Sequence, residues 1–269
     1  MRAPRLETER RSLAVAGGVL VAFLIVPLVA LFITTTLVDF RAGLSHPLVW
    51  PALRLSLVTT SLSLLIVVAL GMPLAWSLAN ASGRSARALE TVLQLPIVIP
   101  PAVAGIAMLL AFGRRGLLSG WLYPQGWSVT FTTTAVVMAE VFVSAPLFVQ
   151  AATSAFRRID SKLIVVARTF GASPLRVFFR IAVPLAAPGL VAGAAMSWAR
   201  SLGEFGATLM FAGNLEGQTQ TLPLAIYTAL ESDMRAAQAL SIVLVVVAFA
   251  LLLFVRATLR RASAETETP

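Results

Sequence analysis

The sequence of 269 residues contains no cysteine and a single histidine, His46. Disulfide bonds, thiol nucleophiles and metal sites built from cysteine or histidine clusters are therefore excluded. Charge is also scarce, because only 12% of the residues are charged and Lys162 is the one lysine. Hydrophobic residues make up 58% of the chain. A water-soluble domain of this size could not bury so much apolar surface, so the composition predicts an integral membrane protein.

Motifs for an energy source or for catalysis are missing as well. No G-x-x-x-x-G-K-[ST] loop is present, and no glycine-rich segment approaches Lys162. Neither a pair of carboxylates at hydrolase spacing nor a nucleophile elbow occurs. We therefore expect neither an enzyme nor a resident cofactor or metal. Any ATP hydrolysis that drives this protein must come from another chain.

Six long apolar runs are present, and each is long enough to cross a bilayer. They cover residues 13–37, 55–79, 92–112, 129–155, 184–212 and 237–259. The pattern predicts an all-α integral membrane protein with one six-helix domain over 13–259, a basic stub at 1–12 and a tail at 260–269. We expect the third run to break at Pro96 and at Pro100-Pro101.

The basic residues are distributed unevenly between the two sides that six spans create. Fifteen of the 21 Lys and Arg residues lie in or beside the termini and in the loops 80–91 and 156–183. Because cytoplasmic loops are enriched in Lys and Arg, both termini and the loop 156–183 are predicted to be cytoplasmic. The formal charge of +9 is explained by this topology and does not indicate nucleic-acid binding.

The loop 156–183 carries signals for two short helices. Residues 159–161 supply an N-cap, and a helix can run from there to Phe170. Gly171 then suits the left-handed residue that ends a helix, and Ser173-Pro174 is typical of a second start that leads toward Pro184. One side of the first helix presents apolar residues at helical spacing, namely Leu163, Val166, Ala167 and Phe170. So short a helix needs a lipid surface or a partner's groove to pack against.

The spacing of Gly171, Ile181 and Pro184 resembles the cytoplasmic EAA loop of ABC-importer membrane subunits. That family pattern is Glu-Ala-Ala, three residues, Gly, nine residues, Ile, one residue, Leu-Pro. Ala167 and the three residues just named match it, whereas 165–166 and Val183 depart from it. The resemblance implies a coupling helix that docks into an ATPase subunit. The implied contact residues are Leu163, Val166, Ala167, Arg168, Phe170, Gly171, Ala172, Ile181 and Pro184.

A more specific resemblance covers roughly residues 51–255. It is carried by Ser201-Leu202-Gly203-Glu204-Phe205-Gly206-Ala207-Thr208, Thr221-Leu222-Pro223, Ile226-Tyr227-Thr228, Gln94-Leu95-Pro96 and Gly113-Arg114-Arg115-Gly116. These segments resemble molybdate ABC permeases, and sulfate permeases, which share the fold, are the alternative. The resemblance implies the type I importer architecture in the plasma membrane, as a homodimer with two copies of an ATPase subunit and an extracytoplasmic molybdate-binding protein. We place Pro100, Pro101, Ser197, Ser201, Glu204 and Thr208 along the translocation pathway.

Charged and small residues inside the spans leave alternatives open. Glu140 would suit an ion-coupled carrier, but it is also explained by a partner on another helix or by a position near the outer interface. Arg200 and Glu204 are four residues apart and can form an ion pair. A stripe of small residues, Gly189, Gly193, Ser197 and Ser201, permits close helix packing, either within the chain or at a dimer seam.

Overall fold

The computed structural model describes the backbone of residues 3–266, with side chains described mainly between residues 14 and 254. Every element of regular structure in that range is helical. In chain order the helices are α1 Ala3–Thr34, α2 Leu37–Leu44, α3 Val49–Asn80, α4 Arg84–Val98, α5 Pro101–Phe112, α6 Ser119–Leu122, α7 Thr133–Arg157, α8 Ser161–Thr169, α9 Pro174–Val177, α10 Val183–Leu202, α11 Gly206–Ala212, α12 Leu222–Ser232 and α13 Met234–Thr266. A π-helical turn, Phe178–Ala182, joins α9 to α10 without a gap.

Five of the described helices are long and apolar enough to cross a membrane, within α1, α3, α7, α9 to α10, and α13. The bent pair formed by α4 and α5 would make a sixth crossing if it is counted as one span. The predicted all-α, multi-pass fold is therefore confirmed.

Helix α7 lies at the centre of the molecule, packed between α3 and α10. Of its membrane window, 61% is buried, more than in any other candidate span of the described residues. Phe148, Val149 and Phe156 on α7 pack with Val67 and Leu190 of the neighbouring helices. Small residues among these large side chains, such as Gly71 and Ala152, let the helices approach closely.

Two further apolar clusters attach the remaining helices. One joins α5 and α11 to α7 through Met108, Phe211 and Val143. The other joins α12 and α13 to the start of α3. In contrast, the apolar window of α1 is 0% buried within the chain. A helix that is apolar on all sides and uncovered by its own chain is matched to lipid or to another membrane helix.

The third predicted run is not one straight crossing. Helix α4 already begins at Arg84, inside the predicted loop 80–91. Between α4 and α5 the direction of the helix axis bends by 112°. The break lies at Ile99 and Pro100, which have extended ψ angles of 130° and 135°. Each of these residues precedes a proline, and that position disfavours helical backbone. The predicted break at Pro100-Pro101 is confirmed, whereas Pro96 stays inside α4.

The fifth predicted run has different boundaries from those expected. The helix is continuous from Pro174 to Leu202, so it neither begins near Pro184 nor reaches Ala212. Proline within a helix removes one backbone donor. Here the π-helical turn precedes Pro184, and the Val183 N–H bonds to the Phe178 carbonyl five residues back. This shift in hydrogen-bond register accommodates the proline without ending the helix.

Candidate coupling surface and buried polar seam

Helix α8 is fixed at both ends by the local chemistry that the sequence predicts. Asp160 is the N-cap, and its Oδ1 accepts a hydrogen bond from the Lys162 N–H at 2.9 Å. At the other end Gly171 has φ +79°. The Gly171 N–H bonds to the Arg168 carbonyl and the Ala172 N–H bonds to the Ala167 carbonyl. This pair of bonds is a Schellman motif, in which glycine occupies the left-handed position without a Cβ clash.

The apolar face of α8 points away from the rest of the chain. Leu163 and Val166 are about half exposed, and Phe170 is 88% exposed. Arg168 is also exposed, whereas Ala167 and Ala172 are partly covered. An exposed apolar face with basic flanks on a nine-residue helix is suited to docking into a groove of another protein.

The next element connects α8 to the helical core. Ser173 caps α9 by accepting a hydrogen bond from the Arg176 N–H, and α8 packs on α9. Phe178 in the π-helical turn is buried, with its ring centroid 5.8 Å from that of Trp76 on α3 and 6.0 Å from that of Phe156 on α7. Helix α8 is therefore connected through α9 and these aromatic contacts to α3 and α7. Ile181 lies partly buried in the same turn, and Pro184 is exposed just beyond it.

A buried polar cluster joins α3 to α7 inside the molecule. Glu140 on α7 is only 1% exposed. Its Oε1 accepts a hydrogen bond from the Thr59 hydroxyl at 2.8 Å, and its Oε2 accepts one from the Ser63 hydroxyl at 2.7 Å. Of the explanations that the sequence left open for Glu140, a partner on another helix is the one observed. Both oxygens are satisfied by neutral hydroxyls, as a buried carboxyl group requires.

A second buried acid stabilises the break between α10 and α11. Glu204 Oε2 lies 2.7 Å from Arg200 Nη1, which confirms the predicted ion pair. Glu204 Oε1 accepts a hydrogen bond from the Ala207 N–H at 2.7 Å, so the carboxylate caps the first turn of α11. This local capping explains why the helix stops at Leu202 and restarts at Gly206.

The breaks in the two bent segments lie side by side. A Cβ on Gly206, at the start of α11, would stand 3.0 Å from the Pro101 Cβ at the start of α5. A Cβ on Gly105 would stand 2.7 Å from the Ala207 carbonyl oxygen. Glycine at these two positions lets α5 and α11 pack backbone against backbone. Interrupted helices held together in this way are typical of membrane transport proteins.

The residues predicted to line the pathway fall into two groups. Pro100 and Pro101 are exposed at the break. Ser197, Ser201, Glu204 and Thr208 are buried in contacts within the chain. The Ser197 hydroxyl donates to the Ser144 carbonyl of α7. A Cβ on Gly193 of α10 would lie 2.7 Å from the Ala151 Cβ of α7. The small-residue stripe therefore packs within the chain, and the pathway role of these residues remains a prediction.

Sequence reasoning missed the buried hydroxyl face of α3, of which Thr59 and Ser63 bond to Glu140. Ser56, Thr59, Thr60 and Ser63 are buried on α3 and follow the three-to-four spacing of one helix face. A polar stripe at that spacing inside an apolar run was the available signal. The described residues contain no group of three or more His, Cys, Asp and Glu side chains placed to hold a metal ion.

Residues 68–264 match the family model described as binding-protein-dependent transport system inner membrane component. The chain belongs to this family. Among its relatives, the molybdenum transport system permease protein ModB of Mycobacterium tuberculosis is 47% identical over 235 residues, which is 87% of this chain and 88% of that protein. The Escherichia coli K12 protein of the same description is 39% identical over 76% of this chain and 89% of its own length.

Solved structures agree with this membership in the binding-protein-dependent transport family at the level of the fold. A chain of a bacterial alginate ABC transporter, crystallised with a periplasmic protein that carries an alginate pentasaccharide, superposes with a TM-score of 0.74. The match covers 96% of both chains at 18% identity. A chain of the inward-facing MetNI methionine ABC transporter gives 0.62 over 80% of this chain and 96% of that one, also at 18% identity. The fold is that of type I ABC-importer permeases.

Proposed function

We propose that this chain is the membrane-spanning subunit of an ATP-driven importer that carries molybdate into the cytoplasm. The observation that supports the substrate most strongly is the 47% identity to a molybdenum transport permease over 87% of the chain. Tungstate, a tetrahedral dianion of the same charge, is expected to share the pathway. Sulfate remains the alternative substrate, since sulfate permeases have the same fold.

The exposed face of α8 is the proposed docking surface for an ABC ATPase subunit. Phe170, with Leu163 and Val166 beside it, would enter a groove of that partner, and Arg168 would lie at the rim. Aromatic anchors surrounded by polar residues are typical of stable protein interfaces. The uneven distribution of basic residues supports a cytoplasmic position for this surface and for both termini. ATP hydrolysis is then the task of the partner, two copies of which would serve a homodimer.

The proposed cycle is alternating access. When the ATPase subunits close on ATP, α8 moves with them, and the aromatic contacts of Phe178 carry the motion to α3 and α7. The bent pair α4–α5 and the adjoining α10–α11 break supply hinges at which the path opens outward. A two-fold homodimer encloses the path between its subunits. An extracytoplasmic binding protein delivers the anion and carries most of the selectivity, because a pathway must bind its ion weakly to release it.

Substrate identity is tested by competition. Uptake of radiolabelled molybdate is measured in proteoliposomes that hold this chain with its ATPase and binding protein, in the presence of excess sulfate or excess tungstate. We expect tungstate to suppress uptake and sulfate to leave it nearly unchanged. Suppression by sulfate to the same extent as by tungstate would replace the molybdate assignment with the sulfate alternative.

An ion-coupled carrier based on Glu140 is not favoured by the geometry. The carboxyl group is enclosed by hydroxyl partners from α3 and is 1% exposed, so it faces no open aqueous route among the described residues. A carrier of that kind would also transport without an ATPase.

A further inference from the structure

A polar cleft between α4 and α7 takes no part in the function described so far. Its volume is about 140 Å³. Two helix faces line it, and their polar members are Glu90 and Gln94 on α4 and Gln150, Thr153, Ser154 and Arg157 on α7. These positions recur every three or four residues, so each helix directs one polar stripe into the same space. Leu78, Leu93, Pro146 and Val149 form its apolar floor.

Thr153 is the most unusual residue of this cleft. It is 5% exposed, and its hydroxyl oxygen is buried with no hydrogen-bond partner among the described residues. Two exposed hydroxyls on the same two helices bond back to the carbonyl four residues earlier, as Ser154 does to Gln150 and Thr91 does to Arg87, whereas Ser144 on α7 is unpaired like Thr153. An unpaired buried hydroxyl is unfavourable. The Thr153 hydroxyl is therefore an unused hydrogen-bond donor at the cleft.

Arg157 places a positive charge at the mouth of the same cleft. Its side chain is 46% exposed and forms an ion pair with Glu90, and Nη2 also lies 3.4 Å from the Leu78 carbonyl at the end of α3. The guanidinium group binds carboxylates and tetrahedral oxyanions with the same planar set of donors. The Glu90 carboxylate thus occupies a position at which the oxygens of an anion would otherwise lie.

We propose that this cleft binds one tetrahedral oxyanion and that Glu90 is a built-in competitor for Arg157. The anion accepts hydrogen bonds from Arg157, from the Thr153 hydroxyl and from the side-chain amides of Gln94 and Gln150. Glu90 then swings away from Arg157 into the solvent at the mouth, where it is already partly exposed. The competing carboxylate keeps the affinity low, so that the anion can leave again.

The neighbouring groove sets the limits of the site. An apolar groove of about 390 Å³ adjoins the cleft and shares Leu93, Pro146 and Val149 with it. A dianion is confined to the polar cleft, because the groove offers it no donors. A phospholipid with its phosphate in the cleft and an acyl chain in the groove is the rival occupant. The Glu90–Arg157 pair carries no net charge, so an anion of either kind can bind only when Glu90 leaves Arg157.

Binding is measured by equilibrium dialysis of radiolabelled molybdate against the purified complex of permease and ATPase, without ATP and without the binding protein. The ATPase subunit alone serves as the blank. Thr153→Val removes one hydrogen bond to the anion and should weaken binding about tenfold or more. Glu90→Gln removes the competing charge and should tighten binding about tenfold or more. Thr91→Val is the matched control on α4, where the hydroxyl bonds to its own helix, and should leave binding unchanged.

The opposite signs of the two variants separate this site from an ordinary structural ion pair. If Glu90→Gln weakens binding or has no effect, or if Thr91→Val acts like Thr153→Val, the inference is wrong. A cryo-EM map of the Glu90→Gln complex with tungstate should show tungsten density between Arg157 and Thr153. Phospholipid density in that place would overturn the proposal.

This inference rests on the proposed function, because the anion in the cleft is the proposed transport substrate. The two can nevertheless be disproved independently. Binding is measured without transport, so a complex that binds the anion in the cleft and imports no molybdate would sink only the proposed function. A complex that imports molybdate and binds nothing in the cleft would sink only the inference.

Discussion

Single buried side chains show how this membrane protein positions polar groups. Glu140 is enclosed on α7, and the hydroxyls of Thr59 and Ser63 on α3 are both directed at its oxygens. The Ser63 hydroxyl also lies 3.2 Å from the Val137 carbonyl, so it keeps an acceptor whichever way its proton turns. The cluster therefore stabilises the contact between α3 and α7, and its loss leaves a buried acceptor unpaired.

Replacing Ser63 with alanine should destabilise the protein by about 1–3 kcal/mol, because Glu140 Oε2 loses its partner in a site that water does not reach. Thermal unfolding of the purified protein in detergent measures the change. Ser61→Ala is the control, since Ser61 lies two residues away on the exposed face of α3 and should change stability by less than about 0.5 kcal/mol. Equal effects of the two variants would contradict this role for Ser63.

Phe170 is the residue on which the proposed docking depends most. Phe170→Ser should weaken binding of the ATPase subunit about tenfold or more, because truncated aromatic anchors commonly cost more than 1 kcal/mol at interfaces. Stability of the isolated chain should not fall, since the ring is 88% exposed. Leu117 has the same 88% exposure in another loop, and Leu117→Ser provides the matched control. Affinity is measured by titrating the ATPase subunit onto immobilised permease. An equal loss of affinity in both variants would contradict the assignment of Phe170 to the docking surface.

At the scale of elements, the α8–α9 corner is set by its own short sequence. The Schellman motif at Gly171 and the caps by Asp160 and Ser173 fix the angle between the two helices. Apart from the two chain neighbours, no described residue has an atom within 4 Å of a Cβ built on Gly171. The constraint at this position is therefore conformational and not one of space.

Gly171→Val should leave the protein in the membrane but uncouple ATP hydrolysis from uptake. A β-branched residue is strained at φ +79°, by about 1–2 kcal/mol, so the corner opens and α8 loses its direction. Uptake and ATPase rate are measured together in proteoliposomes. Gly171→Asn is the control, because asparagine tolerates the left-handed region, and it should retain most of the uptake. Normal ATP-driven uptake by the valine variant would show that the α8–α9 corner does not couple ATP hydrolysis to transport.

The sequence predicted those elements whose signals are local. The cap at Asp160, the left-handed Gly171 and the break at Pro100-Pro101 depend only on neighbouring residues, and all three are observed. Both boundaries of the fifth run were predicted wrongly, as were the start of α4 and the break at Pro96. The chain continues as helix through Pro184 because a π-helical turn precedes it, and α10 ends at Leu202 because the Glu204 carboxylate caps the next helix.

The contacts that sequence reasoning could not supply are distant along the chain. Glu140 bonds to residues 77 and 81 positions earlier, and Arg157 pairs with Glu90 67 positions earlier. Helical periodicity identifies which face of α3 is polar, but it does not specify the helix against which that face packs. Only the packing of α7 between α3 and α10 determines these partners.

For the whole molecule, a chain of contacts connects the exposed helix α8 to the two interrupted segments, α4–α5 and α10–α11. Helix α8 packs on α9, and the buried Phe178 in the following turn packs against Phe156 of the central helix α7. Helix α7 in turn contacts α4, α5 and α11, the elements that flank the two breaks. The sequence has no nucleotide-binding motif. The proposed function therefore requires an ATPase subunit and, for an enclosed path, a second copy of this chain.

The most direct test is the uptake of radiolabelled molybdate into proteoliposomes, with each component omitted in turn. If the proposed function is right, molybdate accumulates in an ATP-dependent way only when this chain, its ATPase subunit and its binding protein are all present. A liposome that lacks any one of them should accumulate no more than an empty vesicle. Accumulation by this chain alone, driven by an ion gradient, would contradict the proposal of an ATP-driven importer.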